Sequence, residues 1–213
     1  NPYDEFGLTR ALQLNEQLGG TVTAVTVGDA SVEPTLRKAL AIGAHDAVRV
    51  DALPSDPLQV ARELASVVSE GAYELVICGQ ESIDYNGGIV PSALAEILGW
   101  PVVTPCIGFD PAGGRAKASR EIDGGKEVLD IALPAVLGAK KGLVEESELR
   151  IPNMRGIMAA RTKPLVVKAP TGATAGSAPV SFSKPAGKSA VQMIDAQNLD
   201  ALVKKLHEEA KVI

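Results

Sequence analysis

The hydrophobic positions of the chain follow helical and strand periods in turn. Apolar residues recur at helical spacing from Phe6 to Leu18, and Asp4 is placed to cap the helix that they predict. Short runs rich in β-branched residues then alternate with further helical patterns. The predicted strands cover residues 21–27, 47–50, 75–78, 101–107 and 165–167, and the predicted helices cover residues 31–41, 57–69 and 91–98. This alternation predicts an α/β fold with a doubly wound, mostly parallel sheet.

One segment of this domain has a different pattern. Residues 116–122 and 128–136 flank the pair Asp123-Gly124, which predicts an antiparallel hairpin because Asp-Gly is a strong turn signal. Doubly wound sheets usually begin with a strand, whereas this chain begins with a helical pattern. We therefore expect a further strand upstream of Asn1.

The C-terminal part of the chain has the composition of an extended arm. Eighteen of the twenty-two residues from 169 to 190 are Ala, Gly, Ser, Thr or Pro, and such a segment buries too little surface to fold alone. An amphipathic helix is predicted over residues 195–211. The chain is thus divided into an α/β domain, residues 1–168, and a strap with a helix, residues 169–213. The pattern leaves open whether this helix docks on its own domain or on a partner chain.

Composition excludes several classes of function. The net charge of −5 and the seven aromatic residues argue against nucleic-acid binding, and no apolar run is long enough to span a membrane. Cys78 and Cys106 allow neither a disulfide framework nor a cysteine-based zinc site. His45 and His207 lack the spacing of metal ligands, so no metal site is expected. The use of only two cysteines fits a reducing compartment. No nucleophile motif occurs, which predicts a protein without catalytic residues of its own.

The loop over residues 79–91 carries the most informative chemistry. It follows a strand with two apolar faces and precedes a helix, the place where open α/β sheets bind their ligands. Gly87 and Gly88 allow a ligand to approach the backbone, and the following helix N-terminus favours an anion. Asp84 and Asn86 have side chains suited to a ribose hydroxyl or an adenine edge. The alternative is a plain surface loop with an Asx turn, and spacing alone favours neither.

Three segments resemble the β subunits of electron transfer flavoproteins, and the resemblance extends over essentially the whole chain. The first is Asn1-Pro2-Tyr3-Asp4-Glu5, which opens a helix, and the second is the loop over residues 79–90. The third and most specific combines residues 118–129, with a basic residue before Asp-Gly-Gly, and residues 134–137. Gly138 follows where the family usually has Thr, Ala, Cys or Ser.

This resemblance implies a fold and a function. The fold would be that of the adenine nucleotide alpha hydrolase-like proteins, and the chain would form a heterodimer with an α subunit that carries the redox FAD. The β subunit would bind structural AMP, or a second FAD in electron-bifurcating relatives. The complex would relay electrons from acyl-CoA dehydrogenases of fatty acid β-oxidation to a quinone oxidoreductase. Its location would be cytoplasmic in a bacterium or the mitochondrial matrix in a eukaryote.

The resemblance also implies where the nucleotide binds. Tyr3 matches an aromatic residue near the α-subunit flavin, and the apolar run Gly88-Ile89-Val90 replaces polar family positions, so backbone N–H groups would hold the phosphate. The implied contacts of the nucleotide are Asn1, Pro2, Tyr3, Asp4, Val27, Gly79, Gln80, Ser82, Asp84, Asn86, Gly87, Gly88, Ile89 and Val90.

Residues 150–161 resemble the family's recognition loop, which engages the dehydrogenase. Met154 takes the place of an anchoring Leu, and its flexible thioether suits a carrier with several partners. The alternative is a core residue beneath the loop. The residues assigned to this loop are Arg150, Met154, Arg155, Ile157, Met158 and Arg161, of which the three arginines would steer acidic partners. The resemblance implies that the C-terminal arm docks on the α subunit.

A stand-alone nucleotide sensor of the universal-stress type is the alternative function. Such a sensor would form a homodimer without any flavoprotein. The hairpin and the low-complexity arm argue against it. A nucleotide pyrophosphatase would need a Ser-Gly-Gly-x-Asp-Ser phosphate loop, which the sequence lacks.

Overall fold

The computed structural model describes residues 1–188 and 190–213 and places the helices and strands largely where the hydrophobic pattern predicts them. The α-helices are α1 Pro2–Leu18, α2 Glu33–Ile42, α3 Pro57–Glu70, α4 Val90–Leu98, α5 Met154–Ala160 and α6 Leu199–Lys204. The strands are β1 Thr23–Val27, β2 Asp46–Val50, β3 Leu75–Gly79, β4 Val102–Ala112, β5 Arg115–Ile122, β6 Gly125–Ala132, β7 Ala135–Ala139 and β8 Leu165–Lys168.

The strands form two sheets. A three-stranded parallel sheet has the order β1-β2-β8, and a five-stranded sheet has the order β3-β7-β4-β5-β6. In the larger sheet β3, β7 and the first residues of β4 are parallel, while β4, β5 and β6 are antiparallel. The predicted α/β class with parallel strands is therefore confirmed, but its strands are divided between two sheets rather than joined in one.

Two helices pack across both sheets from opposite sides. On α3, Leu64 packs in the cluster that contains Val25 of β1 and in the cluster that contains Val76 of β3. On α1, Leu8 packs near Ala24 of the smaller sheet, whereas Phe6 lies in the core of the larger one. These apolar contacts hold the sheets in one unit, because burial of such side chains is the main source of stability. The strand expected upstream of Asn1 stays a prediction.

The predicted hairpin is confirmed at its turn but not in its second strand. Ile122 pairs with Gly125 across the two-residue turn, and Gly124 has a φ of 81°, which glycine adopts without steric strain. The predicted strand over residues 128–136 is wrong as a single element, because β6 ends at Ala132. Pro134 cannot donate a hydrogen bond to a ladder, and the chain then turns into β7, a fully buried strand between β3 and β4.

The predicted cap of the first helix is also wrong. Asn1 occupies the N-cap position of α1 without a side-chain capping bond, and Asp4 lies within the first turn. The Asp4 carboxylate instead accepts a hydrogen bond from the backbone of Gly79. By contrast, Asp56 caps α3 as its position before Pro57 predicts, since its carboxylate accepts from the Gln59 N–H at 2.7 Å.

The beginning of the C-terminal arm is fastened to α3. Both oxygens of the Glu63 carboxylate accept hydrogen bonds from Thr171, one from its backbone N–H and one from its hydroxyl, each at 2.8 Å. The Asp56 carboxylate accepts from the N–H groups of Gly176 and Ser177. The hydrogen bonds from Gln59 and then Ser177 hold the pKa of Asp56 below its usual range. These bonds place residues 171–177 with the α/β unit.

The chain divides into two compact units, Asn1–Ala178 and Pro179–Ile213. In the second unit the predicted helix over residues 195–211 begins later, at Leu199, because the Asn198 side chain caps it by accepting from Ala201 N–H. Beyond Lys204 the helix continues with π-helical hydrogen bonding over Lys205–Ala210. None of the helices in the described residues is both long and apolar enough to cross a bilayer.

We predict that Glu63→Gln lowers the free energy of unfolding in urea by about 1–3 kcal/mol. An NH₂ group replaces one of the two carboxylate oxygens, and it cannot accept the hydrogen bond that Thr171 donates there. Glu63 is 0% exposed, so water cannot replace the lost acceptor. The matched control is Glu96→Gln on α4, whose residue is exposed; it should change the unfolding free energy by less than about 0.5 kcal/mol. Equal stability of the two variants would contradict this role of Glu63.

Candidate functional site

The first turn of α1 meets the carboxyl end of β3. The Asp4 carboxylate accepts from the Gly79 N–H at 2.5 Å, and the Asn1 side-chain amide donates to Asp4 at 3.0 Å and to the Glu81 carbonyl at 2.9 Å. These bonds bring together two segments that the sequence analysis assigned to one nucleotide site. They connect residues 75 to 80 positions apart in sequence, so the loop after β3 is held at a fixed place.

Gly79 permits this close approach. A Cβ on Gly79 would lie 2.6 Å from the Asn1 side-chain nitrogen and 2.9 Å from the Cβ of Tyr3. No side chain fits there without moving the first turn of α1. The half-buried Tyr3 is thereby fixed next to the end of the strand.

The loop between β3 and α4 closes on itself. Ser82 N–H donates to the Gly87 carbonyl at 3.2 Å, and the Asp84 carboxylate accepts from the Ser82 hydroxyl and from the Tyr85 N–H. These bonds, that from the hydroxyl first, hold the pKa of Asp84 below its usual range. Asn86 adopts a left-handed conformation with a φ of 51°. The loop is therefore ordered by its own hydrogen bonds, and the Asp84 carboxylate is bonded within the loop. The hydrogen bonds described for Asp84 are not those of an Asx turn, which needs the N–H two residues further on.

The start of α4 offers free hydrogen-bond donors. Its N-cap residue is Ile89, which has no side-chain acceptor, so the first N–H groups of the helix lack a cap. Within residues 1–188 and 190–213, the N–H groups of Gly88 and Ile89 have no acceptor either. A Cβ on Gly88 would lie 3.4 Å from the Gln80 carbonyl oxygen and 3.9 Å from the Glu81 Cβ, so the lack of a side chain leaves room beside these groups. This cluster of donors at the positive end of a helix dipole can bind an anion.

Gly138 marks the departure from the family pattern in the hairpin segment, and the structure gives a physical reason for it. A Cβ on Gly138 would overlap with the side chain of Thr104 on β4 and would come within 3.3 Å of the Gln80 Cα. Glycine at this position of β7 therefore allows Thr104 and Gln80 to pack against the backbone of β7. Gly138 in place of a larger residue thus preserves packing beside the loop that follows β3.

Val27 belongs to the smaller sheet, whereas the loop after β3 follows a strand of the larger sheet. Val27 ends β1, and its buried side chain packs with Val50 and Val67. Arg49 on the neighbouring strand was not predicted as a site residue. Its guanidinium donates to the Gly28 carbonyl at 2.9 Å and to Asp51 at 2.6 Å. The hydrogen bond that Arg49 donates to the Asp51 carboxylate is the main cause that raises the pKa of Arg49. The sequence signal for this residue is a basic side chain between two valines of a predicted strand.

Neither cysteine is suited to nucleophilic chemistry. Desolvation, together with the nearby Asp4 carboxylate, raises the pKa of the Cys78 thiol to about 12. Burial likewise raises the pKa of Cys106. At neutral pH both sulfurs are protonated thiols, which are poor nucleophiles and poor metal ligands.

The segment assigned as the recognition loop presents apolar side chains to solvent. Met154, the first residue of α5, is 74% exposed, so the alternative of a core residue beneath the loop is wrong. Ile157 and Met158 on the same helix are exposed as well, as is Ile151 before it. Exposed apolar groups in one cluster are typical of a contact surface for another protein.

The arginines of this segment are not equivalent. Arg150 forms a bidentate pair with Glu16 of α1, with N–O distances of 2.7 and 2.6 Å. This pairing lowers the pKa of Glu16. The charge of Arg150 is thereby neutralised within the chain. Arg155 and Arg161 are exposed and form no ion pair with any described residue. Electrostatic attraction of an acidic partner would therefore depend on these two residues.

Comparison with known proteins identifies the family. A family model described as the electron transfer flavoprotein domain matches residues 1–172. The chain belongs to the electron transfer flavoprotein family. The resemblance predicted from the three sequence segments is thereby confirmed.

Relatives from bacteria and animals are named electron transfer flavoprotein subunit beta. The chain is 37% identical to that of Bacillus subtilis over 169 residues, which are 78% of this chain and 65% of the relative. It is 34% identical to that of Syntrophomonas wolfei over 192 residues, 89% of this chain and 75% of the relative. With the human protein the identity is 33% over 222 residues, 100% of this chain and 85% of the relative. The chain thus spans slightly less than two thirds of the Bacillus subtilis family member.

Proposed function

We propose that this chain is the β subunit of a heterodimeric electron transfer flavoprotein, which relays electrons from acyl-CoA and related dehydrogenases to a quinone oxidoreductase. The observation that carries the proposal is the edge at the end of β3, where Asn1 and Asp4 fix a loop that leads into the uncapped N-terminus of α4. Membership in the electron transfer flavoprotein family supports it.

AMP is the ligand proposed for this edge. Its phosphate would accept hydrogen bonds from the N–H groups of Gly88, Ile89 and Val90, whose side chains supply no hydroxyl. Since Asp84 is hydrogen-bonded within its own loop, its proposed role is to shape the loop around the nucleotide. The free donors and the lack of a side chain at Gly88 fit a phosphate, so the residues present are compatible with AMP.

The nucleotide is proposed to be structural. Whether it is AMP or FAD distinguishes a simple electron relay from an electron-bifurcating protein. A second FAD contains the same adenosine phosphate moiety and would use the same backbone donors. A bound AMP would indicate a simple relay, whereas a bound FAD would indicate electron bifurcation. The proposal extends to the fold, because helices on both faces of parallel sheets are consistent with the adenine nucleotide alpha hydrolase-like class.

The redox chemistry would belong to the FAD of the α subunit, which accepts and donates the electrons when bound. The part of this chain is to bind and shield. Tyr3, fixed beside Gly79, is the aromatic side chain proposed to lie toward that flavin. Burial keeps both thiols protonated, so neither is proposed to take part in chemistry, and the subunit itself is proposed to be non-catalytic.

The recognition loop is the proposed contact with the dehydrogenase. Met154 is the anchor, since its exposed flexible side chain can fill pockets of different shape. Arg155 and Arg161 would attract acidic groups around such a pocket. The same exposed surface would serve successive partners, because a carrier that shuttles electrons must release one before it binds the next.

The C-terminal unit is the proposed contact with the α subunit. Residues 179–213 carry a helix whose apolar side chains Leu199, Leu202 and Val203 are exposed in this chain. An amphipathic helix with an exposed apolar face gains stability when a partner covers that face. The complex would work in the cytoplasm of a bacterium or in the mitochondrial matrix of a eukaryote.

Co-expression with an α subunit tests the proposal most directly. We expect a yellow complex of one copy of each chain, from which extraction and mass spectrometry recover FAD and AMP. Size-exclusion chromatography with light scattering gives the stoichiometry. A colourless, monodisperse homodimer formed under the same conditions would favour the universal-stress type sensor instead.

Gly88→Val should weaken retention of AMP about tenfold or more, because a branched side chain blocks access to donors that are each worth about 1.5 kcal/mol or more to a charged ligand. The readout is the AMP content of the purified complex after dialysis. The matched control is Gly125→Val in β6, which adds the same side chain at a glycine whose Cβ would meet no neighbour within 4 Å. Full AMP occupancy in the Gly88 variant would exclude this site.

Met154→Ala should lower the second-order rate of flavin reduction by the dehydrogenase about thirtyfold, the effect of losing a contact worth roughly 2 kcal/mol, without releasing flavin. Stopped-flow absorbance gives the rate. Leu53→Ala is the control, because Leu53 is 73% exposed but lies outside the loop. If both variants keep the wild-type rate, Met154 is not the anchor.

A further inference from the structure

The helix that carries the recognition side chains is too short to be stable by itself. α5 has seven residues, about two turns, and isolated helices of this length are mostly unfolded in water. Its outward residues Met154, Ile157 and Met158 are exposed and add little packing energy. The conformation of α5 therefore depends on groups elsewhere in the chain.

A glycine places α5 directly on the backbone of α2. A Cβ on Gly156 would overlap with the carbonyl oxygen of Ala41, so no other residue allows the two helices to pack at this distance. Asn153 caps the first turn of α5 by accepting from Gly156 N–H at 2.8 Å. Gly156 therefore takes part both in the cap of α5 and in the contact of α5 with α2.

Two cations then fasten the ends of the two helices to each other. Arg37 of α2 donates to the Ala160 carbonyl at 2.7 Å and to the Lys163 carbonyl at 2.8 Å, at the end of α5. Lys163 in turn donates to the Leu40 carbonyl at 2.9 Å and to the Ala44 carbonyl at 2.6 Å, at the end of α2. The last carbonyls of a helix lack hydrogen-bond donors and carry partial negative charge. A cationic side chain there supplies the missing donors and also neutralises the partial charge.

We propose that Gly156, Arg37 and Lys163 are positioning residues that hold α5 in its binding conformation before a dehydrogenase arrives. This inference depends on the proposed function, since it assigns α2 as the support of the recognition surface. A surface that is ordered in advance loses less conformational freedom on binding, which raises affinity without a new contact. The three residues touch neither flavin nor nucleotide in this assignment, so they act on partner affinity rather than on electron transfer within the complex.

The test uses the complete complex with the α subunit and two variants of the support, Lys163→Met and Gly156→Ala. We expect the KM of the dehydrogenase for the complex to rise about tenfold, with kcat and flavin content within about twofold of wild type. Backbone amides of residues 154–160 should exchange with deuterium about tenfold faster in the free complex. Lys163→Arg keeps a cation within reach of the same carbonyls and should restore most of the affinity.

The matched controls are Lys117→Met and Gly125→Ala. Lys117 is exposed on β5 and has no ion-pair partner within the part of the chain that the structure describes, and Gly125 has open space around its Cα. Both should leave KM and exchange unchanged. Wild-type KM in the two support variants, or unchanged exchange over residues 154–160, would overturn the inference while leaving the proposed function intact. A wild-type complex that no acyl-CoA dehydrogenase reduces would overturn the proposed function itself.

Discussion

The hydrogen bond from Gly79 N–H to the Asp4 carboxylate is the constraint on which the candidate nucleotide site depends. It joins the first turn of α1 to the end of β3, and glycine at position 79 is what allows the two backbones to approach. Once this junction is fixed, Asn1 reaches the Glu81 carbonyl and sets where the following loop begins. The free donors at the start of α4 are thereby presented at one place on the sheet edge rather than on a mobile loop.

The recognition segment is held by a different kind of interaction. There, Arg37 and Lys163 satisfy carbonyls at helix ends, and Arg150 fixes the entry to the segment through Glu16. Charged side chains suit this place because half-buried carbonyls at a helix end bind cations well, whereas the apolar residues of α5 remain free for a partner. The cations stabilise the chain and the apolar groups face outward, so binding surface and support use separate side chains.

Much of the fold follows from the hydrophobic pattern, and the exceptions have physical reasons. Asp56 before Pro57 is a local capping signal, and it is found where predicted. The break between β6 and β7 was missed because a half-exposed edge strand and a fully buried strand are both rich in apolar residues. The division of the strands between two sheets depends on pairing over long sequence distances, which periodicity does not report.

The candidate site shows the same limit. Family resemblance brought Asn1, Asp4 and the loop after β3 into one site, but neither the resemblance nor the spacing of the loop residues pointed to Arg49. Nor did they indicate Arg37 and Lys163, because the partners of these side chains are backbone carbonyls, which every residue has. The composition of the arm predicted a strap from residue 169 that does not fold alone but gave no sign of what holds it, and Glu63 and Asp56 bind its residues 171 to 177. A segment fastened at its root loses less entropy when its far end docks, so these two carboxylates on and before α3 favour any later contact of residues 179–213.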